Sequence, residues 1–215
     1  MLLSVLKLIN KKDNLQRNYS LGDIFELGWC VLRSKLLDKR IRIIRRPFVL
    51  RGRKFIDFGQ GLTTGYWCRF EVFPQNNDSR IRLKFGNNIQ VNDFVHICAM
   101  DNVEIGDGCM LASHIYISDN SHGVYGGNFT HSSPDIAPDH RQYITKLVKI
   151  GKNCWLGEGV IIMPGITIGD GCVIGAHSVV NKDIPAACIA VGSPVRVIKK
   201  YDFEMKCWIK IENND

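Results

Sequence analysis

Along the second half of the chain, apolar residues return at every sixth position. Ile150, Leu156, Ile162, Ile168, Ile174 and Val180 keep this spacing without a break, and glycine follows four of them, at 151, 157, 169 and 175. A helix repeats its apolar face every 3.6 residues and a strand every second residue, so neither has this period. A short strand closed by a tight turn does, if each sixth side chain points inward and three such units make one triangular coil. The same phase runs through Ile105, Leu111 and Ile117. An earlier run, Phe85, Val91, Ile97 and Val103, is offset by two residues, and Phe58, Thr64 and Phe70 form one earlier still. The offsets predict small bulges between coils. Cys68, Cys109, Cys154 and Cys172 each fall four residues after an anchor, which predicts small inward side chains and a packing role.

Two stretches interrupt the rhythm. Residues 71–80 read as a short loop, and residues 119–147 as a long one with Gly123, Gly126, Gly127, Pro134 and Pro138 and no periodicity. An excursion longer than about 15 residues from a rigid solenoid is usually functional or disordered, and Tyr125, Phe129 and Tyr143 argue against disorder. At the front, Ile24, Leu27, Val31, Leu32 and Leu36 predict an amphipathic helix over 21–37, with Ser20 as its N-cap, closing the open end of the coil. After Pro194 a strand is expected, then a short helix within 203–211. The chain thus divides into a helical, basic cap (1–45), the solenoid (46–200) and a C-terminal extension (201–215).

Composition narrows the class. With 215 residues, 45% hydrophobic and 23% charged, the chain is neither disordered nor collagenous. Met1–Ile9 is largely apolar, but Lys11 and Lys12 follow instead of a small-residue cleavage site, and no run approaches the roughly 18 apolar residues of a membrane span. Eight scattered cysteines without a C-x-x-C predict a reducing compartment and a cytoplasmic protein. The net charge of +7 is concentrated: residues 33–54 carry ten Lys or Arg against Asp38 alone. No nucleic-acid reading motif accompanies them, which argues against such a partner and leaves a solvated face, an anionic surface or an anionic substrate.

The ending Val191-Gly-Ser-Pro-Val-Arg-Val-Ile-Lys199, following a hexapeptide rhythm broken by one long loop, resembles the left-handed parallel β-helix acyltransferases. The segments Ile150–Val160, Pro164–Asp170 and Ile174–Val180 are similar to that family's coenzyme A end. Arg51-Gly52, Phe58-Gly59-Gln60-Gly61 and Cys68-Arg69-Phe70-Glu71 resemble more particularly the O-acetyltransferases of surface-polysaccharide gene clusters. The resemblance implies a mainly β fold, a left-handed parallel β-helix, a homotrimer, acetyl-CoA as co-substrate, no metal, and a sugar or glycan acceptor.

It also implies site residues. The family's catalytic histidine stands where the long loop begins, which here is Ile117-Ser-Asp-Asn-Ser-His122. A sugar hydroxyl attacks a thioester slowly unless a base takes its proton, and imidazole titrates near working pH. The acceptor oxygen would attack the acetyl carbonyl directly, without an acyl-enzyme. Asp119 and Asp101 are the two candidates to hold the imidazole tautomer. On the coenzyme side, the Glu158 peptide N–H would hold the thioester carbonyl, worth about 3 kcal/mol of barrier. Ala176 would meet the pantetheine, Asn181 and Lys182 would lie beside the coenzyme arm, Arg196 and Lys199 near its phosphates, and Trp155 near the acetyl group. Three other readings compete: N-acylation of an amino sugar, a zinc carbonic anhydrase of the same fold using His96, His114 and His122, and a non-catalytic scaffold. Finally, the basic segment beside Phe25 and Trp29 suits peripheral contact with an anionic membrane.

Overall fold

A computed structural model describes residues 20–76, 78–126 and 130–211. The expectations for Met1–Ile9, Lys11, Lys12, Gly127 and Phe129 lie outside the described residues. Short parallel strands stack into three sheets, here faces A, B and C, which the chain visits in that order in every coil. The six-residue anchors become stacked files. Leu156 pairs with Ile174 on face A, Ile162 with Val180 on face B and Ile150 with Ile168 on face C, each 18 residues apart. All six are at most 1% exposed, and every anchor of the earlier runs is buried with them.

In the earlier coils the partners stand 20 residues apart, as in Val91↔Leu111 and Ile97↔Ile117. The two extra residues sit at the corner leading from face B to face C, between the strands His96–Ala99 and Val103–Ile105. The other interruptions occupy the same corner. One lies between Cys68–Val72 and Leu83–Phe85, the long one between Tyr116–Ser118 and Val148–Ile150. Pairing on both sides is undisturbed: Val103↔Val148 and Ile117↔Ile162 stay in register across the long excursion. Every insertion is therefore stacked along one edge of the prism.

The opposite corner, from A to B, is tight. Trp67, Phe94, His114, Gly159 and His177 take φ of 60°, 58°, 59°, 68° and 55° in successive coils. A left-handed conformation costs a non-glycine residue about 1–2 kcal/mol. Ring stacking offsets part of it, since Trp67 lies over Phe94 at 6.5 Å and Phe94 over His114 at 4.8 Å, all nearly parallel. The cysteines meet their predicted role. The buried thiols of Cys68, Cys109, Cys154 and Cys172 donate to the carbonyls of Asn92, Gly151, Gly169 and Pro185 in the next coil, at 3.0, 3.0, 3.2 and 3.0 Å. Burial pushes the Cys68 thiol up to about 11.

Helix α1 (Leu21–Leu37) begins with a capping box between Ser20 and Asp23. Leu27, Cys30 and Val31 pack on Ile43 of the first coil, and Ser34 Oγ accepts the Ile44 N–H at 2.7 Å, so one helical face closes the solenoid. Much of the basic segment is engaged at this end: Arg40 pairs with Asp38 and Asp57, and Arg53 with Asp38.

Three expectations are corrected. The strand through Glu71 runs to Val72, so the loop starts later than residue 71. The long excursion, read as a loop, carries an antiparallel hairpin of its own. The C-terminal helix is absent. Arg196–Asp202 and Cys207–Lys210 instead form an antiparallel hairpin on face A. The Asp202 carboxylate accepts the N–H groups of Glu204 and Met205, which turns the chain, and Trp208 then packs across the strands on Tyr201 at 5.2 Å.

Candidate active site

The long excursion is an arm built on a short antiparallel hairpin, Asn120–His122 against Tyr143–Thr145. Between them, Pro138–His140 form one 3₁₀ turn. Arg141 ties the arm together, donating to the Ile136 carbonyl at 2.7 Å, the Pro134 carbonyl at 3.3 Å and the Tyr125 hydroxyl at 2.7 Å. Tyr125 in turn donates to the His122 carbonyl. The proline and glycine pattern that reads as a loop folds because these side chains satisfy backbone carbonyls that no ladder reaches.

His122 is exposed at the end of its strand, with its ring 4.4 Å from that of Tyr143. Its Nδ1 lies 3.1 Å from the Pro138 carbonyl oxygen. A carbonyl can only accept, so this contact puts the proton on Nδ1 and leaves the lone pair on Nε2. The ring is thus oriented by a backbone group, not by either carboxylate named from the sequence. Asp119 is fully buried, and its oxygens accept the N–H groups of Met100, Asp101 and Asn102 at 2.9, 2.7 and 2.7 Å, with Asn120 Nδ2 at 3.1 Å. Those are the residues of the widened corner, whose N–H groups have lost their ladder. Asp101 faces the other way, 2.9 Å from Arg80 and 3.4 Å from the buried Arg82. It pins the preceding loop to the same edge.

The residues assigned to the coenzyme fall into two groups. Trp155 is half exposed on face A, between Met110 and Val173. Glu158 and Ala176 occupy the A-to-B corners of neighbouring coils, joined by the bond from the His177 N–H to the Glu158 carbonyl at 2.7 Å. Arg196 and Lys199 are exposed on the strand that extends face A, with Arg196 opposite Val191 and Lys199 opposite Lys210. Asn181 and Lys182, in contrast, are exposed at the B-to-C corner of the last coil, the edge that bears the arm. Within one chain the two groups stand on different edges of the prism.

One constellation was missed. On face B, Glu71 is 2% exposed although its place beside the inward Phe70 turns it outward. Arg51 Nη1, Arg69 Nη2 and His96 Nε2 come within 3.0, 2.6 and 2.9 Å of its oxygens. Burial, and then the charge of Arg69, holds His96 below the usual histidine value, with Glu71 pulling the other way. The alternation of Arg69 and Glu71 about Phe70 was the available signal. It needed the spacing of the following coil to bring in His96.

The zinc reading requires three histidines around one point. They are dispersed: His96 lies against Glu71, His114 is stacked on Phe94 at a corner, and His122 is on the arm. Among the described residues no group of three or more His, Cys, Asp or Glu is placed to hold a metal ion.

Stacked coils with a six-residue period define a class, and residues 147–182 match the family described as bacterial transferase hexapeptide (six repeats). The chain belongs to the hexapeptide-repeat acyltransferases and is an acyltransferase, a membership carried along nearly its whole length by a curated relative. That relative is the Escherichia coli K12 protein named "Putative lipopolysaccharide biosynthesis O-acetyl transferase WbbJ", 39% identical over 196 residues, which are 91% of this chain and 97% of that one. The galactoside O-acetyltransferase of the same organism is 36% identical over 118 residues, 55% of this chain and 54% of its own. Among solved structures, AntD, an N-acyltransferase from Bacillus cereus in complex with dTDP and 3-hydroxybutyryl-CoA, superposes with a TM-score of 0.62 at 21% identity, over 78% of this chain and 83% of that one. The hexapeptide-repeat acetyltransferase VCA0836 of Vibrio cholerae does so at 0.52 and 19%, over 92% and 83%. At such identities the likeness is one of fold, and the fold is the left-handed parallel β-helix.

Proposed function

We propose that this acyltransferase moves the acetyl group of acetyl-CoA to a hydroxyl of a sugar in a surface-polysaccharide precursor. The observation that carries the reading is the exposed His122 with Nδ1 on the Pro138 carbonyl, which leaves Nε2 free to act as a base. In the step itself the acceptor oxygen forms a bond to the thioester carbonyl carbon while its proton passes to Nε2. The C–S bond then breaks, and the imidazolium returns the proton to the coenzyme thiolate. The names of the two Escherichia coli relatives, both O-acetyltransferases, favour oxygen over nitrogen as the acceptor.

Acetyl-CoA would lie along face A and its corner. There the half-exposed Trp155 offers a flat wall, the Glu158 N–H a donor to the thioester, and Ala176 a close backbone. The exposed run Arg196, Lys199, Lys200 and Lys210 suits its phosphates. A homotrimer follows from the same reading: the arm's edge, with His122, Asn181 and Lys182, must meet the coenzyme corner, and a neighbouring subunit supplies the second where one chain keeps them apart. The enzyme would work in the cytoplasm, at the inner face of the membrane. Supporting that place, Leu21, Phe25, Trp29 and Leu36 of α1 are 86%, 79%, 53% and 78% exposed in one stripe, with Arg33 over Trp29.

The test is labelled acetyl-CoA with a panel of neutral glycosides and diphosphate-linked sugars, the label being located by mass spectrometry. His122→Ala should lose transfer by at least ~10²-fold, as for a general base, while its affinity for coenzyme A stays that of the wild type. Undiminished transfer by the alanine variant would remove His122 from the reaction.

A further inference from the structure

The Glu71 cluster carries an excess of positive charge that packing does not require. A buried carboxylate is costly unless it is paired, and one guanidinium is enough to neutralise it. Here two are provided, and their side chains stay 60% (Arg51) and 49% (Arg69) exposed. Each places one Nη against Glu71, Arg69 by a hydrogen bond of 2.6 Å and Arg51 by an ion pair of 3.0 Å, so both guanidiniums are positioned at the surface before any ligand arrives. The cluster is also under-satisfied: Glu71 Oε1 and His96 Nε2 are shielded from water and make no well-aligned hydrogen bond.

Its place is as telling as its charge. Arg51, Glu71, Cys98 and Ser118 form one file along face B, ending at the root of the arm. Asn120, two residues before His122, reaches Cys98 Sγ at 3.7 Å. Neighbouring strands are about 4.8 Å apart, so the strands of Arg69 and Arg51 stand two and three rungs, roughly 10–15 Å, from the root of the arm, and both guanidiniums meet at Glu71, on the nearer of the two. Tyr116 and Val49, both 40% exposed, wall the site on either side in the next file. An acceptor that presents one sugar to His122 and carries its anionic group one or two sugars further along spans that gap. Two fixed forks on adjacent rungs match an anion with at least two charges.

We propose that Arg51 and Arg69, held by Glu71, form an anion subsite for the diphosphate of a sugar-diphosphate acceptor, nucleotide-linked or polyprenyl-linked. This rests on the reading that His122 serves a sugar hydroxyl.

The experiment is calorimetric titration of the full-length protein, saturated with coenzyme A so that its own phosphate site is filled, with inorganic pyrophosphate as the probe. Wild type should bind. Arg51→Gln and Arg69→Gln should each weaken binding at least tenfold, whereas Lys84→Gln, which removes an equal charge from face C, should leave it unchanged. The Arg51→Lys/Arg69→Lys pair keeps Glu71 neutralised and the fold secure, and should still weaken the probe severalfold, because an ammonium cannot present a fork. Competition by a nucleoside-diphosphate sugar or by a polyprenyl-diphosphate sugar supports the subsite and tells which source it serves. Competition by neither, equal weakening by Lys84→Gln, or unaltered pyrophosphate affinity in the arginine variants overturns it. If wild type acetylates a neutral glycoside but ignores pyrophosphate, the subsite falls while the role of His122 stands; pyrophosphate binding without transfer to any acceptor is the reverse.

Discussion

Replacing Asp119 separates a scaffold role from a catalytic one. Its carboxylate is fully buried and accepts three backbone N–H groups, at 2.9, 2.7 and 2.7 Å, from the corner residues Met100, Asp101 and Asn102. Hydrogen bonds to a charged group are worth about 1.5–3 kcal/mol each, and buried donors left without an acceptor carry their full desolvation cost. The corner is only half-buried, so water recovers part of the loss, and Asp119→Ala should cost about 3–5 kcal/mol in total. For a chain of this size each kcal/mol moves the melting temperature by about 2–4 °C, giving a fall of roughly 6–20 °C. Asp119→Asn, which keeps one acceptor but turns an NH₂ toward the donors, should fall about half as far. The measurement is thermal unfolding followed by circular dichroism, paired with turnover well below the transition. Turnover of the folded variant should stay within a few-fold of wild type, since the His122 ring is oriented by Pro138. An alanine variant that melts within about a degree of wild type yet loses ~10²-fold in turnover would refute the argument and return Asp119 to the catalytic group.

Two other expectations concern the surface. Protein sedimented with liposomes should require anionic lipid and be released by salt, because exposed charges are screened beyond about 10 Å at 0.1 M; Phe25→Ser/Trp29→Ser should abolish it, and a wild type that stays in the supernatant at low salt removes the membrane contact. His96, which faces Glu71, Arg69 and Tyr116, is held below its unfolded value near 6.5 by burial. The unfolded chain therefore takes up the proton first, so this contribution to stability is fully present above about pH 6.5 and is lost as the pH falls from there toward the folded value. Urea titrations from pH 7.5 downward should show a shallower loss for His96→Gln than for wild type, and identical slopes would sink the assignment.

What was legible in the sequence was what repeats. Period six fixes which residue points inward on each face, so Ile150 to Val180 and the cysteines could be placed without knowing any contact. The stretches that failed depend on partners far along the chain. Asp119 looked like a companion to His122 because it is three residues away, but its partners are the N–H groups of a corner one coil earlier, and nothing local announces that those lack acceptors. Phe203, Met205, Trp208 and Ile209 fit a helix about as well as a strand. What decides is Asp202 closing a turn and Tyr201 meeting Trp208 across it. Glu71 and His96 stand on neighbouring rungs, but the insertion in the intervening coil shifts their spacing away from 18, so the period alone does not bring them together.

The arm leaves and rejoins the solenoid through a narrow doorway. Its two roots are joined directly, the Lys146 N–H donating to the Asp119 carbonyl at 2.8 Å, and the rungs on either side pair as though nothing lay between them. The ends are held together by the coils whatever the arm contains, and doubling the length of such a loop adds only about 0.6 kcal/mol of closure entropy. At the A-to-B corner there is no such latitude: a methyl group on Gly157 would sit 2.6 Å from the Ala176 nitrogen. The segment that carries His122 can therefore change in length as well as in sequence at little cost to the coils that hold it. The stacked turns beside Trp155 change residue from coil to coil but not length, and at Gly157 they cannot take even a methyl group.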